Sequence, residues 1–263
     1  MLAGRILKIC LGTFSTKSIY VQGNMYYLCG NIIKPLTKPY QLSYADVVGP
    51  NDMQWFVSHF WGTPFAHFVE TIRKHAEGSL GARVTDLHLV TYWICTFSNN
   101  QWKVLEELGE TWEYSSFFLA LRSPGYKGTV MVLDDEVRPL TRSWCLFELL
   151  QTALLSKKKK TQGLFLATQS GVMNLGQCGM DLAVTLSKKM STLKLQDASA
   201  SSQDAWRSIR INPPHIFIYI YCMYIYFTVY TEYIYIYAVQ YIEYILYSYL
   251  YTYIHCIHLY IYP

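Results

Sequence analysis

Between residues 46 and 212, continuous apolar runs alternate with amphipathic stretches, and this alternation constrains the fold more than any other feature of the sequence. The clearest run, 129–133 (TVMVL), is apolar at nearly every position, as is typical of strands that helices cover on both faces. Further apolar runs cover residues 54–60, 87–97 and 163–169. The alternation predicts an α/β fold with a doubly wound, mostly parallel sheet.

The stretches between these runs have the spacing of amphipathic helices. After Pro64, apolar side chains recur at three- and four-residue intervals, at Phe65, Phe68, Val69, Ile72 and Ala76. The Ser-x-x-Gln spacing at 98–101 is that of a capping box, which predicts that another helix starts there. Further helices are predicted over 115–122, 141–155 and about 180–195.

The end of the chain has a different composition. Residues 213–263 consist largely of Ile and Tyr, hold sixteen of the 24 tyrosines, and carry only Glu232 and Glu243 as charged side chains. Read as protein, this low-complexity tail fits membrane segments or an aggregation-prone strand. Because the codons ATA and TAT encode Ile and Tyr, we interpret it as a translated TA repeat. We therefore expect an α/β domain at 46–212, truncated near its end, after an N-terminal extension (1–45) that is ordered in part at most.

Charge and cysteine content exclude several classes of function. Lys and Arg number 22 against 18 Asp and Glu, and this net charge of +4 is too small to indicate a nucleic-acid surface. The seven cysteines form no Cys-x-x-Cys pair, so neither a disulfide framework nor a metal site is expected. Arg5 and Lys8 interrupt the first apolar run, so no secretory signal is predicted. We expect a cytoplasmic protein, or a membrane-anchored one if the tail is part of the protein.

Polar and aromatic residues follow the predicted strands. In a parallel sheet, ligands bind beyond the carboxyl ends of the strands. The residues at these positions include Ser58, His59 and Trp61 after the first strand, Asn99 after the second and Asp134 after the third. Such groups suit a small-molecule site, but loops are also polar because they are solvated. The pattern alone leaves both interpretations open.

Glu148 lies inside an otherwise apolar predicted helix. It does not fit a capping box, because a capping-box Glu stands three residues after its cap, and Leu146 has that position relative to Ser143. Its neighbours one turn earlier are Trp144 and Cys145. Glu148 is either a solvated residue at the edge of the helix, which the pattern alone favours, or part of a site.

The segment 143–149 (SWCLFEL) resembles the Ser-x-Trp-Cys-x-x-Glu-Leu motif of Toll/interleukin-receptor (TIR) domains. The first strand, 55–59 (WFVSH), is similar to the Phe-hydrophobic-Ser-Tyr/His start of the same fold. Over residues 50–170 the chain also resembles a large set of uncharacterised TIR-like protist proteins. The resemblance implies a flavodoxin-like sheet of the TIR type.

Two activities follow from the resemblance. Some TIR domains hydrolyse NAD⁺ at the nicotinamide–ribose bond, and their catalytic glutamate corresponds to Glu148 here. NAD⁺ or a related nucleotide would then be the substrate, with no further cofactor, and Phe60, Trp61 and Trp144 are candidates for stacking. Other TIR domains are non-catalytic modules that self-associate or bind other TIR-like domains. The complete set of expected ligand contacts is Ser58, His59, Phe60, Trp61, Asn99, Asp134, Trp144 and Cys145.

Overall fold

The computed structural model describes residues 23–80, 89–158 and 161–175, together with Val184, Thr185 and Lys188. The Ile/Tyr tail and most of the predicted helix at 180–195 lie outside these residues. The strands are β1 (Trp55–His59), β2 (Tyr92–Trp93), β3 (Gly128–Val132), β4 (Leu164–Thr168) and β5 (Gly171–Val172).

Eight α-helical segments accompany these strands in the described residues. They are α1 (Met25–Leu28), α2 (Lys34–Thr37), α3 (Tyr44–Val48), α4 (Phe65–Leu80), α5 (Cys95–Ser98), α6 (Val104–Leu108), α7 (Ser116–Leu121) and α8 (Ser143–Lys158). A π turn at Cys29–Ile33 joins α1 to α2, and 3₁₀ turns cover Trp112–Tyr114, Arg138–Thr141 and Met173–Leu175.

The five strands form one sheet in the order β2–β1–β3–β4–β5. All pairs are parallel except β4–β5, which is antiparallel. In the β1–β3 register, His59 is opposite Val132, so the carboxyl ends of these two strands lie side by side at one edge of the sheet. The predicted α/β fold with a mostly parallel sheet is confirmed.

Both faces of the sheet are covered. Side chains alternate along each strand, so successive residues of β1 pack on opposite faces. Trp55 and Val57 of β1 pack in a core cluster with Phe68 of α4. Phe56 belongs to a second cluster that includes Leu121 of α7 and Leu155 of α8. Ser58 follows the alternation of Phe56, which places its side chain on the same face as α8.

The predicted second strand is too long. Only Tyr92–Trp93 is strand, and the chain turns into α5 at Cys95. The Gln101 amide donates to the backbone carbonyl groups of Cys95 and Thr96 and so holds the chain in this turn. The predicted capping box is also wrong, because α6 starts after Lys103 without a side-chain cap.

The N-terminal helical segment, which we define as residues 25–37, packs on the same core as β1. Met25, Leu28 and Ile33 are buried in the cluster that contains Trp55. This segment therefore shares the core of the sheet, although it precedes the domain boundary expected at residue 46. The sequence reading missed it because these contacts join residues that are far apart in the chain.

Among the described residues, no helix is both long enough and apolar enough to cross a membrane.

Candidate functional site

A cavity of about 370 Å³ opens beside the carboxyl end of β1. This volume lies within the range of small-molecule sites, about 300–1,000 Å³. Its wall is built from the N-terminal helical segment, the loop after β1, the region from α5 to α6, and the adjoining parts of α7 and α8.

Glu148 faces the cavity from the second turn of α8 and is only 5% exposed. The alternative that it is a solvated residue at the edge of the helix is therefore wrong. Burial raises the pKa of its carboxyl group to about 8. The Ser58 hydroxyl lowers this pKa in part, although its geometry falls short of a hydrogen bond, and Glu148 Oε2 has no partner among the described residues.

His59 occupies the end of β1 at the cavity wall. Its ring lies 4.9 Å from the ring of Phe68 between their centroids, and its Nε2 atom has no hydrogen-bond partner among the described residues. Burial lowers its pKa to about 4, an effect that a hydrogen bond to the Val57 backbone offsets in part. The imidazole is consequently neutral at pH 7 and suited to hydrogen bonding with a ligand.

Aromatic rings form much of the remaining wall. Trp61 Nε1 donates to Cys95 Sγ over 3.1 Å, which fixes the indole in place. Trp144 stacks on Phe117, with 5.0 Å between the ring centroids and 24° between the planes. Phe60 also lines the cavity and lies under the guanidinium group of Arg142, 5.6 Å from its ring centroid. Flat apolar walls of this kind suit a base or a nicotinamide ring.

Several buried polar atoms at this cavity lack a hydrogen-bond partner among the described residues. Three lie on lining residues, namely His59 Nε2, Asn99 Oδ1 and Glu148 Oε2, and Ser58 Oγ lies behind Glu148. An unsatisfied buried polar group costs about 1–3 kcal/mol, so native structures contain few of them. Their convergence on one cavity indicates a site for a polar ligand.

The cysteines of the cavity wall are neutral thiols. Cys29, Cys95 and Cys145 are all free and buried. Burial raises the pKa of Cys95 to about 12 and that of Cys145 well above its usual value. A nucleophilic or metal-binding cysteine needs the thiolate, so none of these three side chains is suited to either role. No group of three metal-ligating side chains occurs in the described part of the chain.

The structure brings most of the expected contact residues together. His59, Phe60, Trp61, Asn99, Trp144, Cys145 and Glu148 all line the cavity. Ser58, whose hydroxyl lies behind Glu148, does not line it, and neither does Asp134. The Asp134 carboxylate accepts hydrogen bonds from Arg138 N and Nε at 2.9 and 2.8 Å, and from Thr63 Oγ1 at 3.3 Å. Asp134 thus fixes the turn that follows β3.

The sequence analysis missed further residues that line the cavity. Tyr26, Cys29 and Lys34 come from the N-terminal helical segment, which was expected to lie outside the domain. Phe117 and Arg142 could have been found from the helices predicted over 115–122 and 141–155, which contain them.

Comparison with protein-family models gives no match, and the searches of curated proteins and of solved structures give no significant match either. The resemblance to TIR domains stays a prediction from the sequence, and the function has to be inferred from the cavity.

Proposed function

We propose that the protein is a TIR-like domain that binds NAD⁺ or a related nucleotide in this cavity and hydrolyses the nicotinamide–ribose bond. The order of the four parallel strands, 2-1-3-4, is that of flavodoxin-like, doubly wound sheets, whose ligands bind between the carboxyl ends of β1 and β3. The cavity opens beside the carboxyl end of β1, which supports the assignment.

The observation that carries the proposal is the Glu148 carboxyl group, buried on the wall of an aromatic cavity with one oxygen unpaired. An acid in the packed interior costs stability and is rarely retained without a partner. A bound ribose would give Glu148 Oε2 the hydroxyl donors that it lacks. The motif that contains Glu148 is also the one that resembles the catalytic segment of TIR domains.

The reaction uses Glu148 to stabilise positive charge. The bond between the ribose C1 atom and the nicotinamide nitrogen breaks, and its electron pair goes to the nitrogen. Neutral nicotinamide leaves, and the ribose becomes an oxocarbenium-like centre that a nearby carboxylate stabilises, as in glycoside hydrolysis. Water then adds to C1 and transfers a proton to Glu148, which completes the hydrolysis.

The raised pKa of Glu148 couples the ionisation of its carboxyl group to substrate binding. With a pKa of about 8, the carboxyl group is mostly protonated at pH 7. The nicotinamide ring of NAD⁺ carries a positive charge, and an opposite charge nearby favours the ionised acid. Substrate binding therefore produces the carboxylate that the cleavage step needs.

Nicotinamide release from NAD⁺ tests this proposal. We expect the full-length protein to release nicotinamide, and Glu148→Gln to lower the rate at least about 100-fold because the amide carries no charge. Glu110→Gln, an exposed carboxylate outside the cavity, is the matched control and should keep the wild-type rate. Turnover that survives Glu148→Gln would rule out the catalytic role.

A self-associating, non-catalytic module is the second candidate. It is favoured by four exposed apolar side chains around α6 and α7, namely Val104, Leu105, Tyr114 and Leu119. Leu105 is 81% exposed, and apolar patches of this kind often mark interfaces. Analytical ultracentrifugation should show an oligomer that Leu105→Lys dissociates and Leu36→Lys, on α2, does not. A protein that stays monomeric at high concentration would exclude this candidate.

The free, buried thiols of the domain fit a reducing compartment. Cys29, Cys95 and Cys145 are all unpaired. Disulfides are rare in the cytosol, where thiols are kept reduced. This supports the proposal of a cytoplasmic protein.

A further inference from the structure

The N-terminal helical segment contributes a cation to the cavity. Cys29 and Lys34 both line it, although they are five residues apart. An α-helix would place such residues about 140° apart around its axis. The π turn between them is wider, and it closes with the Lys34 backbone N–H donating to the Cys29 carbonyl oxygen. The wider turn brings the two side chains to the same wall.

The side chain of Lys34 contacts an aromatic ring at this wall. Its ammonium group lies 5.1 Å from the centroid of the Trp102 ring, a cation–π contact that positions the charge without neutralising it. Among the described residues, no carboxylate lies within ion-pair distance of Lys34. Burial raises the pKa of the Cys29 thiol, and the positive charge of Lys34 offsets this rise in part.

Arg142 is the second cation of the cavity. Lys34 and Arg142 are both partly buried, whereas Glu148 and His59 are buried. Positive charge therefore lies nearer to solvent, and the unpaired polar atoms lie deeper. The one further acid on the wall, Glu107, already accepts a hydrogen bond from Asn100 N over 2.8 Å.

We propose that the ligand carries a phosphate group, which Lys34 and Arg142 bind in the outer part of the cavity while the nicotinamide riboside lies inward against Glu148. The inference rests on the proposed function and assigns the two residues that hold the phosphate of its nucleotide substrate. A cavity of about 370 Å³ is near the lower end of the usual range, which suits a mononucleotide unit. The second nucleotide of NAD⁺ would extend towards solvent past the two cations.

Calorimetric titration with two ligands that differ only in the phosphate tests the inference. Nicotinamide mononucleotide and nicotinamide riboside are titrated into the full-length protein that carries Glu148→Gln, which blocks turnover. We expect the mononucleotide to bind at least about tenfold more tightly, because a phosphate forms charge-assisted hydrogen bonds with cations. Added salt should weaken the binding of the mononucleotide more than that of the riboside.

Variants of Lys34 then test whether this residue binds the phosphate. Lys34→Gln should remove most of the preference for the mononucleotide and leave riboside binding within about twofold, while Lys34→Arg should retain the preference. Lys38→Gln, an exposed lysine just after α2, is the matched control and should change neither affinity. Circular dichroism establishes that each variant is folded.

The outcomes separate this inference from the proposed function. Equal affinity for the two ligands, or a preference that survives Lys34→Gln, would overturn the role of Lys34 and leave the proposed function standing. If neither these ligands nor NAD⁺ binds, both proposals fail.

Discussion

Burial of the Glu148 carboxyl group raises its pKa from 4.5 to about 8, so the folded protein holds a proton that the unfolded chain has lost. Between these two values the folded state binds more protons than the unfolded state. The contribution of Glu148 to the free energy of unfolding therefore decreases as the pH rises from about 4.5 to about 8. The residue that carries the proposed chemistry thus destabilises the fold at the pH where it would be ionised.

Replacing this carboxyl group should stabilise the protein at high pH. Glu148→Gln has nearly the same shape and no ionisation, so we expect it to match the wild type near pH 5 and to exceed it by about 3–5 kcal/mol above pH 8. Chemical denaturation at the two pH values measures the difference. The stability of Glu110→Gln should differ from that of the wild type by the same amount at both pH values. A stability gain for Glu148→Gln that is the same at both pH values would refute the burial argument.

At the scale of elements, the short helix α5 is positioned by hydrogen bonds from the loop that follows it. Gln101 Nε2 lies within hydrogen-bond distance of the carbonyl oxygens of Cys95, Thr96 and Asn99. Trp102 Nε1 donates to Thr37 Oγ1 over 2.9 Å, which ties the same loop to the N-terminal helical segment. These bonds hold one wall of the cavity in place.

Loss of the Gln101 amide should therefore weaken the domain and loosen the cavity. Gln101→Met keeps the length of the side chain but removes the side-chain donor to these buried carbonyl groups, and we expect a loss of about 1–3 kcal/mol in unfolding free energy. The midpoint of urea denaturation measures this loss. Gln162→Met alters an exposed amide and should leave the midpoint unchanged. Equal midpoints for the two variants would contradict the role of Gln101.

The strength of the local signal decided which elements the sequence could predict. The run TVMVL predicted β3 nearly to the residue, because a central strand is apolar throughout. The run at 87–97 predicted too long a strand, because burial alone does not distinguish a strand from the turn that Gln101 holds. The N-terminal helical segment carries no periodic signal of its own, since the π turn interrupts the helical repeat. The motif around Glu148 was visible, but its burial depends on packing against β1.

At the scale of the whole molecule, two buried histidines act on stability in the opposite direction to Glu148. Burial lowers the pKa of His59 to about 4 and that of His75 to about 3. Below their unfolded value of 6.5, the unfolded chain binds protons that the folded protein does not, so stability decreases as the pH falls. Glu148 decreases stability as the pH rises.

The pKa values of Glu148, His59 and His75 together predict that the free energy of unfolding is greatest near pH 6.5. Between about pH 4.5 and 6.5 the two histidines outweigh Glu148 by one proton, so the free energy of unfolding should rise by about 1.4 kcal/mol per pH unit. Above pH 6.5 only Glu148 still contributes to the pH dependence, so the free energy of unfolding should fall at a similar rate. Thermal denaturation from pH 4.5 to 8.5 measures the profile, and a steady rise over this range would contradict it.

The pH dependence of nicotinamide release from NAD⁺, measured for the wild type beside Glu148→Gln, tests the central claim most directly. The value of kcat/KM reports ionisation in the free enzyme, and the reaction needs the carboxylate. The account predicts that kcat/KM rises about tenfold per pH unit below pH 8, levels off above it, and is lost in the variant. A profile that is flat from pH 6 to 9, or turnover retained without the Glu148 carboxylate, would contradict it.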